Sequence, residues 1–245
     1  MSKVLSYFEN VKGTLYLLPV PIHPEAANIM PPQNIEIANK LDVVIAESIR
    51  EARRNLRKMG STLDFDAIQM FEWNKHEEDG NDVTAWLQPI MEGKNGALVS
   101  DAGLPAVADP GATVVAEAHR LGIKVVPLTG PSSLMLALMA SGLNGQSFAF
   151  HGYLPVKSGD RVSRIRELEL ASKHNRQTQL FIETPYRSDV MMQDLLKGLS
   201  DDTMLCVATN LTGPNERVTT KVVGDWKRTN AKIDKVPAVF LFLKS

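Results

Sequence analysis

Residues 96–131 read GALVSDAGLPAVADPGATVVAEAHRLGIKVVPLTGP. The short apolar run 96–100 (GALVS) predicts a buried strand. A loop with Gly103, Pro105, Pro110 and Gly111 follows it. Residues 112–121 predict a helix closed by Gly122, and 123–127 (IKVVP) a second strand. Upstream, 13–20 (GTLYLLPV) and 41–47 (LDVVIAE) predict strands, and 33–40, 48–59 and 82–93 predict helices. The stretch with Pro19, Pro21, Pro24, Pro31 and Pro32 must be mostly loop. Strands alternating with helices predict an α/β fold whose N-terminal sheet is mainly parallel.

Downstream the text changes. Residues 132–141 (SSLMLALMAS) predict a buried helix capped by Ser132, its Met and Leu stripe serving as core. Residues 147–154, 178–184, 203–209, 217–224 and 236–243 predict strands, 186–198 a helix, and 157–176 is rich in Lys and Arg. More consecutive strands predict a mixed sheet in this half. Two α/β domains are therefore expected, 1–128 and 129–245, with no internal repeat and no low-complexity tract.

Composition narrows the function classes. The chain has 245 residues, 44% hydrophobic and 22% charged, with a formal net charge of −1, which excludes wholesale disorder. That charge also excludes a histone-like nucleic-acid binder, while leaving room for a local basic face. Cys206 is the only cysteine, so no internal disulfide and no cysteine-based zinc site is possible. His23, His76, His119, His151 and His174 lie far apart with no HxxxH pair, and no metal site is expected. No apolar run approaches the roughly 18 residues of a membrane span, and the N-terminus lacks a signal-peptide core. A cytoplasmic protein is expected.

Four runs can carry chemistry, and each has a plainer reading. Ser100, Asp101, Ala102 and Gly103 directly follow a strand, where parallel sheets bind ligands and small residues admit close approach to the backbone. The same run also reads as a turn-rich structural loop. Thr129-Gly130-Pro131-Ser132-Ser133 opens a helix and suits an anionic or polar group, or is simply a cap. Glu183 and Arg187 in FIETPYR (181–187) line a cleft or form a structural ion pair. Arg50, Arg53, Arg54, Arg57 and Lys58 fall on one helical face, which suits a phosphate backbone or is a face neutralised by the protein's own acids. There is no GxGxxG after the first strand, no P-loop and no GxSxG elbow.

Taken in order, GTLYLLPVPI (13–22), ALVSDAGLPAVADPG (97–111), VVPLTGPSSLMLALMASGL (125–143), FHGYLPVKSG (150–159), LFIETPYR (180–187) and PAVFLF (237–242) resemble the tetrapyrrole methylase superfamily. They are most similar to its branch that methylates the 2′-oxygen of a cytidine ribose in small-subunit ribosomal RNA. The resemblance implies two α/β domains with S-adenosylmethionine (SAM) in the cleft between them, and a homodimer. It implies cofactor contacts at Pro19, Ser100, Asp101, Ala102, Gly103, Leu104, Ser132 and Ser133, and at Ile182, Leu211, Pro237 and Ala238. Much of that contact is to backbone.

The branch usually has TPIGN where this chain has Val20-Pro21-Ile22-His23-Pro24, and EDTR where it has Glu47-Ser48-Ile49-Arg50. It has a HxxNE-like run against Trp73-Asn74-Lys75-His76-Glu77, and RELTK against Thr209-Asn210-Leu211-Thr212-Gly213. It also usually carries a small extra C-terminal domain, whereas this sequence ends at Ser245. The cofactor half of the pattern is kept and the substrate half altered.

A ribose hydroxyl must lose its proton during attack on a sulfonium methyl, so a positioned base is needed. The candidates are Glu47, Lys75, His76 and Glu183, with Lys75 or Arg50 as alternative stabilisers of a developing alkoxide. Arg50, Arg53, Arg54 and Arg187 are the expected substrate contacts, and Arg161, Arg164 and Arg166 add to an RNA reading. Ribosomal RNA or the small ribosomal subunit is the expected partner. Two other readings stay open: a methyltransferase for a small molecule such as a tetrapyrrole, which needs a wide apolar cleft, and a non-catalytic SAM-binding protein.

Overall fold

The computed structural model describes residues 11–73, 81–229 and 232–245. The chain divides into two compact units, Met1–Pro131 and Ser132–Ser245. The division falls between Pro131 and Ser132 rather than between 128 and 129, and local bonds explain why. Leu128 N donates to Leu17 O (3.1 Å), and Asn34 Nδ2 donates to Thr129 O (2.9 Å). A Cβ added to Gly130 would lie 2.2 Å from Pro19 Cβ. The segment 128–131 is thus fastened to the first unit.

In that unit five strands are parallel: β1 (Thr14–Leu17), β2 (Val43–Ala46), β3 (Gln69–Glu72), β4 (Gly96–Val99) and β5 (Lys124–Pro127). Their order across the sheet is β3-β2-β4-β1-β5. The central strands β2 (VVIA) and β4 (GALV) are buried at every position, while the edge strands β3 and β5 are buried at none. Continuous apolar runs arise here because helices cover both faces. Helices α1 (Pro32–Ala38) and α2 (Ile49–Lys58) pack on one face through Ala38, Ala52 and Leu56 against Val44, Ala46 and Val99. Helices α3 (Val83–Met91) and α4 (Ala112–Arg120) cover the other through Leu87, Ile90 and Val114 against Val43, Ile45 and Leu98. Each such fully buried aliphatic side chain contributes roughly 1.5–3 kcal/mol.

This winding locates a crevice. The connections leaving β1 and β2 run to the α1/α2 face, and the one leaving β4 runs to the α4 face. Strand β4 lies between β2 and β1, so its outgoing loop diverges from both neighbours. Ligands of open α/β sheets bind where outgoing loops part in this way.

The second unit runs α5 (Ser133–Ser141), β6 (Phe148–Tyr153), α6 (Ser158–Asn175), β7 (Thr178–Glu183), α7 (Ser188–Gly198), β8 (Met204–Thr209), β9 (Arg217–Val222), α8 (Val223–Arg228) and β10 (Ala238–Leu243). The strand order is β6-β7-β10-β8-β9. Strand β6 is parallel to β7 and the other pairs are antiparallel, so the sheet is mixed. One face packs Phe181, Leu205, Val207 and Phe240 against α6, α7 and α8. The Phe181 and Phe240 rings stack 5.6 Å apart. The other face packs Leu180, Cys206, Ala208, Val239 and Leu241 against α5. Burial there pushes the Cys206 thiol pKa up, which keeps it protonated and unreactive.

Three elements differ from the sequence expectation. Strand β3 was not anticipated, because an exposed edge of four residues carries little apolar signal. The Lys- and Arg-rich stretch is helix α6, whose inward residues Arg161, Val162, Ile165, Leu168 and Ser172 keep helical spacing. The predicted strand 217–224 ends at Val222 and turns into α8, anchored by Trp226 Nε1 donating to Leu205 O (2.9 Å).

Candidate active site

At the carboxyl edge of the parallel sheet, three loops are fastened to one another. Val20, after β1, and Gly103, after β4, exchange two backbone hydrogen bonds, Val20 N to Gly103 O (3.0 Å) and Gly103 N to Val20 O (3.2 Å). Gly103 sits at φ +72°, a conformation that favours glycine. Pro19, in the first of these loops, packs on Gly130 of the loop after β5. Pro19 and the run Ser100, Asp101, Ala102, Gly103 and Leu104 are therefore gathered at one place, the crevice that the topology opens.

The loop is fixed from several sides. Glu47 Oε2, at the end of β2, accepts from Asp101 N (3.2 Å), and Asn55 Nδ2 of α2 donates to Asp101 O (3.0 Å). Ser100 is buried, and its Oγ donates to Ala102 O (3.2 Å). Further along, Asp109 accepts from Ala106 N (2.9 Å) and Gly111 N (2.8 Å). Those bonds hold Ala106 (φ +64°) and Ala108 (φ +63°) in the left-handed region, at roughly 1–2 kcal/mol each. Glu47, Trp73, Asp109, Pro110 and Gly111 line a small cleft between β2 and β4, with about 10 Å³ for the centre of a water-sized sphere. That is room for about one water.

In the second unit, the ends of β7 and β8 and the start of β10 meet along one edge. Ala238 lies opposite Glu183 on one side and Thr209 on the other, and Asn210 N donates to Pro237 O (3.3 Å). Ile182 and Leu211 join the cluster on the α5 face. Ile182, Leu211, Pro237 and Ala238 thus converge within this unit. Ser132 and Ser133 open α5, and Ser132 Oγ accepts from Met135 N (3.5 Å). Beyond β8, Asn210 (φ +50°) and Thr212 (φ +67°) are left-handed, and Thr212 Oγ1 is buried with no hydrogen-bond partner. A β-branched residue in that conformation carries strain, and a buried lone hydroxyl adds a desolvation cost. Sequence reading passed over Thr212, although its place beside Leu211 in an altered motif was the available signal.

The structure redistributes the charged candidates. Arg54 pairs with Glu51 (2.5 Å), and the guanidiniums of Arg53 and Arg57 lie 5.6 and 4.6 Å from the Phe65 ring centre. Arg57 Nη1 also donates to Ser61 O (3.0 Å), and Lys58 Nζ to Pro24 O (3.4 Å). The face expected to need phosphate is thus largely occupied by the protein itself. Arg50 is the exception: it is exposed in the first turn of α2 and has no partner among the described residues.

Glu183 is anchored through one carboxylate oxygen. Its side chain is fully buried, and its Oε1 accepts from Thr184 N (2.7 Å), Arg187 Nε (2.9 Å) and Arg187 Nη2 (2.7 Å), while Oε2 is buried with no hydrogen-bond partner. It lies opposite Ala238 and two residues from Phe181, on the face away from Ile182 and Leu211. Glu183 orients Arg187, which keeps part of its guanidinium exposed. Arg161 is likewise unavailable to RNA, being buried against Asp194. Arg164 pairs with Glu167 (3.0 Å). Lys75 and His76 lie outside the described residues.

The tetrapyrrole (corrin/porphyrin) methylase profile matches residues 17–226. The chain belongs to that family. It is a methyltransferase. It is 32% identical over 217 residues to the ribosomal RNA small subunit methyltransferase I of Escherichia coli O157:H7, covering 89% of this chain and 72% of that protein. Against the protein of that name from Bacillus subtilis it is 35% identical over 191 residues, covering 77% and 61% respectively. Against that of Synechocystis the identity is 32% over 207 residues, covering 84% and 69%.

The residues present fit the methyl donor that a tetrapyrrole methylase uses. In the first unit the small residue Ala102 is exposed at the crevice, where it admits close approach to the backbone. In the second unit the buried Thr212 hydroxyl lacks a hydrogen-bond partner. Among the described residues no group of three His, Cys, Asp or Glu side chains forms a metal cage, and no helix is long and apolar enough to cross a membrane.

Proposed function

We propose that this protein transfers a methyl group from SAM to the 2′-oxygen of a ribose in small-subunit ribosomal RNA. The observation that carries the reading is the crevice at β4, where the Gly103–Val20 bridge sets the small-residue run 100–103 beside Pro19. In this reading Ile182, Leu211, Pro237 and Ala238, which converge within the second unit, are cofactor contacts there, with the Thr212 hydroxyl beside them. The names of the similar proteins support RNA as the acceptor.

When bound, SAM supplies a methyl group on a sulfonium, an electrophile whose leaving group is a neutral thioether. The chain orients the acceptor in line with that methyl and removes its proton. Glu47 takes the proton from the ribose hydroxyl as the oxygen–carbon bond forms and the carbon–sulfur bond breaks. It lies at a strand end, against the loop that holds the cofactor. Arg50, three residues beyond Glu47 in the first turn of α2 and without a partner among the described residues, contacts a backbone phosphate. Arg187, steadied by Glu183, is a second such contact. Homodimerisation and a cytoplasmic location, where ribosomal subunits are found, belong to the same proposal.

The test is transfer of labelled methyl from SAM to small ribosomal subunits from cells lacking this protein. Label in RNA, mapped to a ribose 2′-oxygen, is the expected result. In the same assay Glu47→Gln lowers kcat by roughly 10²–10⁴-fold, and Arg50→Ala reduces the salt dependence of RNA affinity by about one charge. SAM binding without label in RNA overturns the acceptor, and label on a small molecule redirects it.

A further inference from the structure

The edge strand β6 carries an irregularity that changes which way its last residue faces. Phe150 pairs with Leu180, but Tyr153 pairs with Ile182, so three steps on β6 match two on β7. The extra residue falls at His151–Gly152, with Gly152 at φ +63°. A bulge of this kind re-aims the side chains beyond it. In regular pairing Gly152 would face Ile182 and Tyr153 would turn to the opposite side. With the bulge, Tyr153 shares the face of Ile182 and the α5 cluster. It is nevertheless 54% exposed, because β6 has no neighbour on its outer side.

The segment that follows is exposed and yet firmly held. Val156 is 73% exposed and Lys157 is exposed. From beneath, the buried Arg161 donates through Nη1 to Pro155 O (2.9 Å) and Val156 O (2.7 Å). Its Nε donates to Asp194 Oδ2 (2.8 Å), and Ser158 Oγ donates to Asp194 Oδ1 (2.8 Å). Burying an ion pair is costly, and here it fixes an outward loop rather than a core contact. At the end of the adjacent strand a second tyrosine, Tyr186, is 84% exposed in the turn closed by Arg187 N donating to Thr184 O (3.0 Å). Two exposed aromatic rings at neighbouring parallel strand ends, with Lys157 and Arg187 beside them, match what unpaired nucleotides need. Rings stack on bases and cations meet the phosphates.

We infer that Tyr153 and Tyr186 are stacking positions for unpaired bases of the RNA substrate, with Tyr153 held toward the Ile182 face by the Gly152 bulge. The inference rests on the reading of the acceptor as ribosomal RNA and deepens it: the substrate segment must be single-stranded where it meets this edge. The neighbouring acids are Asp160 in the first turn of α6, Asp189 in the first turn of α7, which accepts from Ile233 N (3.2 Å), Asp194, paired with Arg161, and the buried Glu183, paired with Arg187.

The test is steady-state methyl transfer by the full-length chain to small ribosomal subunits, comparing wild type with Tyr153→Ala, Tyr153→Phe and Tyr186→Ala. SAM titration and sedimentation of each variant accompany it. Removing a stacked ring raises KM for the subunit about tenfold, and Tyr153→Phe stays within about twofold of wild type because the ring alone stacks. SAM affinity and oligomeric state are unchanged. An unchanged KM in both alanine variants overturns the inference while leaving the acceptor reading intact. So does dissociation of a dimer in Tyr153→Ala, which makes this edge a protein contact. If wild type transfers no label to the subunits, the acceptor reading fails and the inference with it.

Discussion

The two units fix their functional edges by different means. In the first, loops are tied through their backbones: Val20 to Gly103, Gly130 against Pro19, Asn34 to Thr129 O, Asn55 to Asp101 O, and the left-handed turn held by Asp109. In the second, side-chain ion pairs do the same work: Arg161 with Asp194 and Glu183 with Arg187. A parallel sheet wound on both faces already delivers its outgoing loops to one edge, so single bonds to loop backbone suffice to hold them. A mixed sheet brings strand ends of both directions to one edge, so it needs ion-pair anchors between elements.

If that contrast is right, breaking the anchors should cost most in the second unit. Asp194→Ala leaves Arg161 buried and uncompensated, and should destabilise the protein by about 3–5 kcal/mol. Urea unfolding followed by circular dichroism checks it. A loss under 1 kcal/mol would mean that the loop after β6 does not depend on this pair.

Gly130→Ala is the corresponding insult in the first unit. The new methyl would overlap Pro19, and the expected cost is about 1–3 kcal/mol with a marked loss of SAM affinity. Equal losses in stability from Gly130→Ala and Asp194→Ala would erase the contrast. Thr212→Val sharpens it from the other side. Removing an unsatisfied buried hydroxyl should stabilise the free protein by about 1 kcal/mol while weakening SAM binding about tenfold. Stabilisation without loss of binding would make Thr212 a purely structural residue.

How far the sequence carried the reading follows the same division. The parallel unit was legible because β2 and β4 are uninterrupted apolar runs, β2 stopping at Glu47-Ser48 and β4 at a loop with Gly103 and Pro105, and the exposed edge strand β3 escaped notice. The SDAG run was legible as a loop at the carboxyl end of a strand because the apolar run before it is continuous and buried. The charged residues were not legible. Sequence spacing put five cations on one face of α2, but only folding brings Phe65 back across Arg53 and Arg57. The partner of Arg161 lies on α7, on a different helix, and nothing local announces it. Glu183 and Arg187 read as lining a cleft or forming an ion pair, and only the folded turn after β7 shows the ion pair, with Glu183 on the Phe181 face.

The smallest effect concerns the surface of the first unit. Arg120 and the Thr84 hydroxyl hold the Glu117 carboxyl at about 2, well below its ordinary 4.5. A depressed carboxyl contributes stability above its unfolded value, and that contribution fades as pH falls from about 4.5 toward 2. Glu117→Gln should therefore lower stability slightly at neutral pH and flatten the acid limb of a stability–pH profile, the difference from wild type fading as pH falls toward 2. A difference that persists undiminished at pH 2 would assign the effect to another group.

The most direct test of the central claim is calorimetric titration of the full-length chain with SAM, beside Gly103→Val. The account predicts saturable binding by wild type and its loss in the variant, because valine cannot hold φ +72° and keep the bridge to Val20. Absence of saturable binding in wild type, or undiminished binding in a folded Gly103→Val, would contradict it.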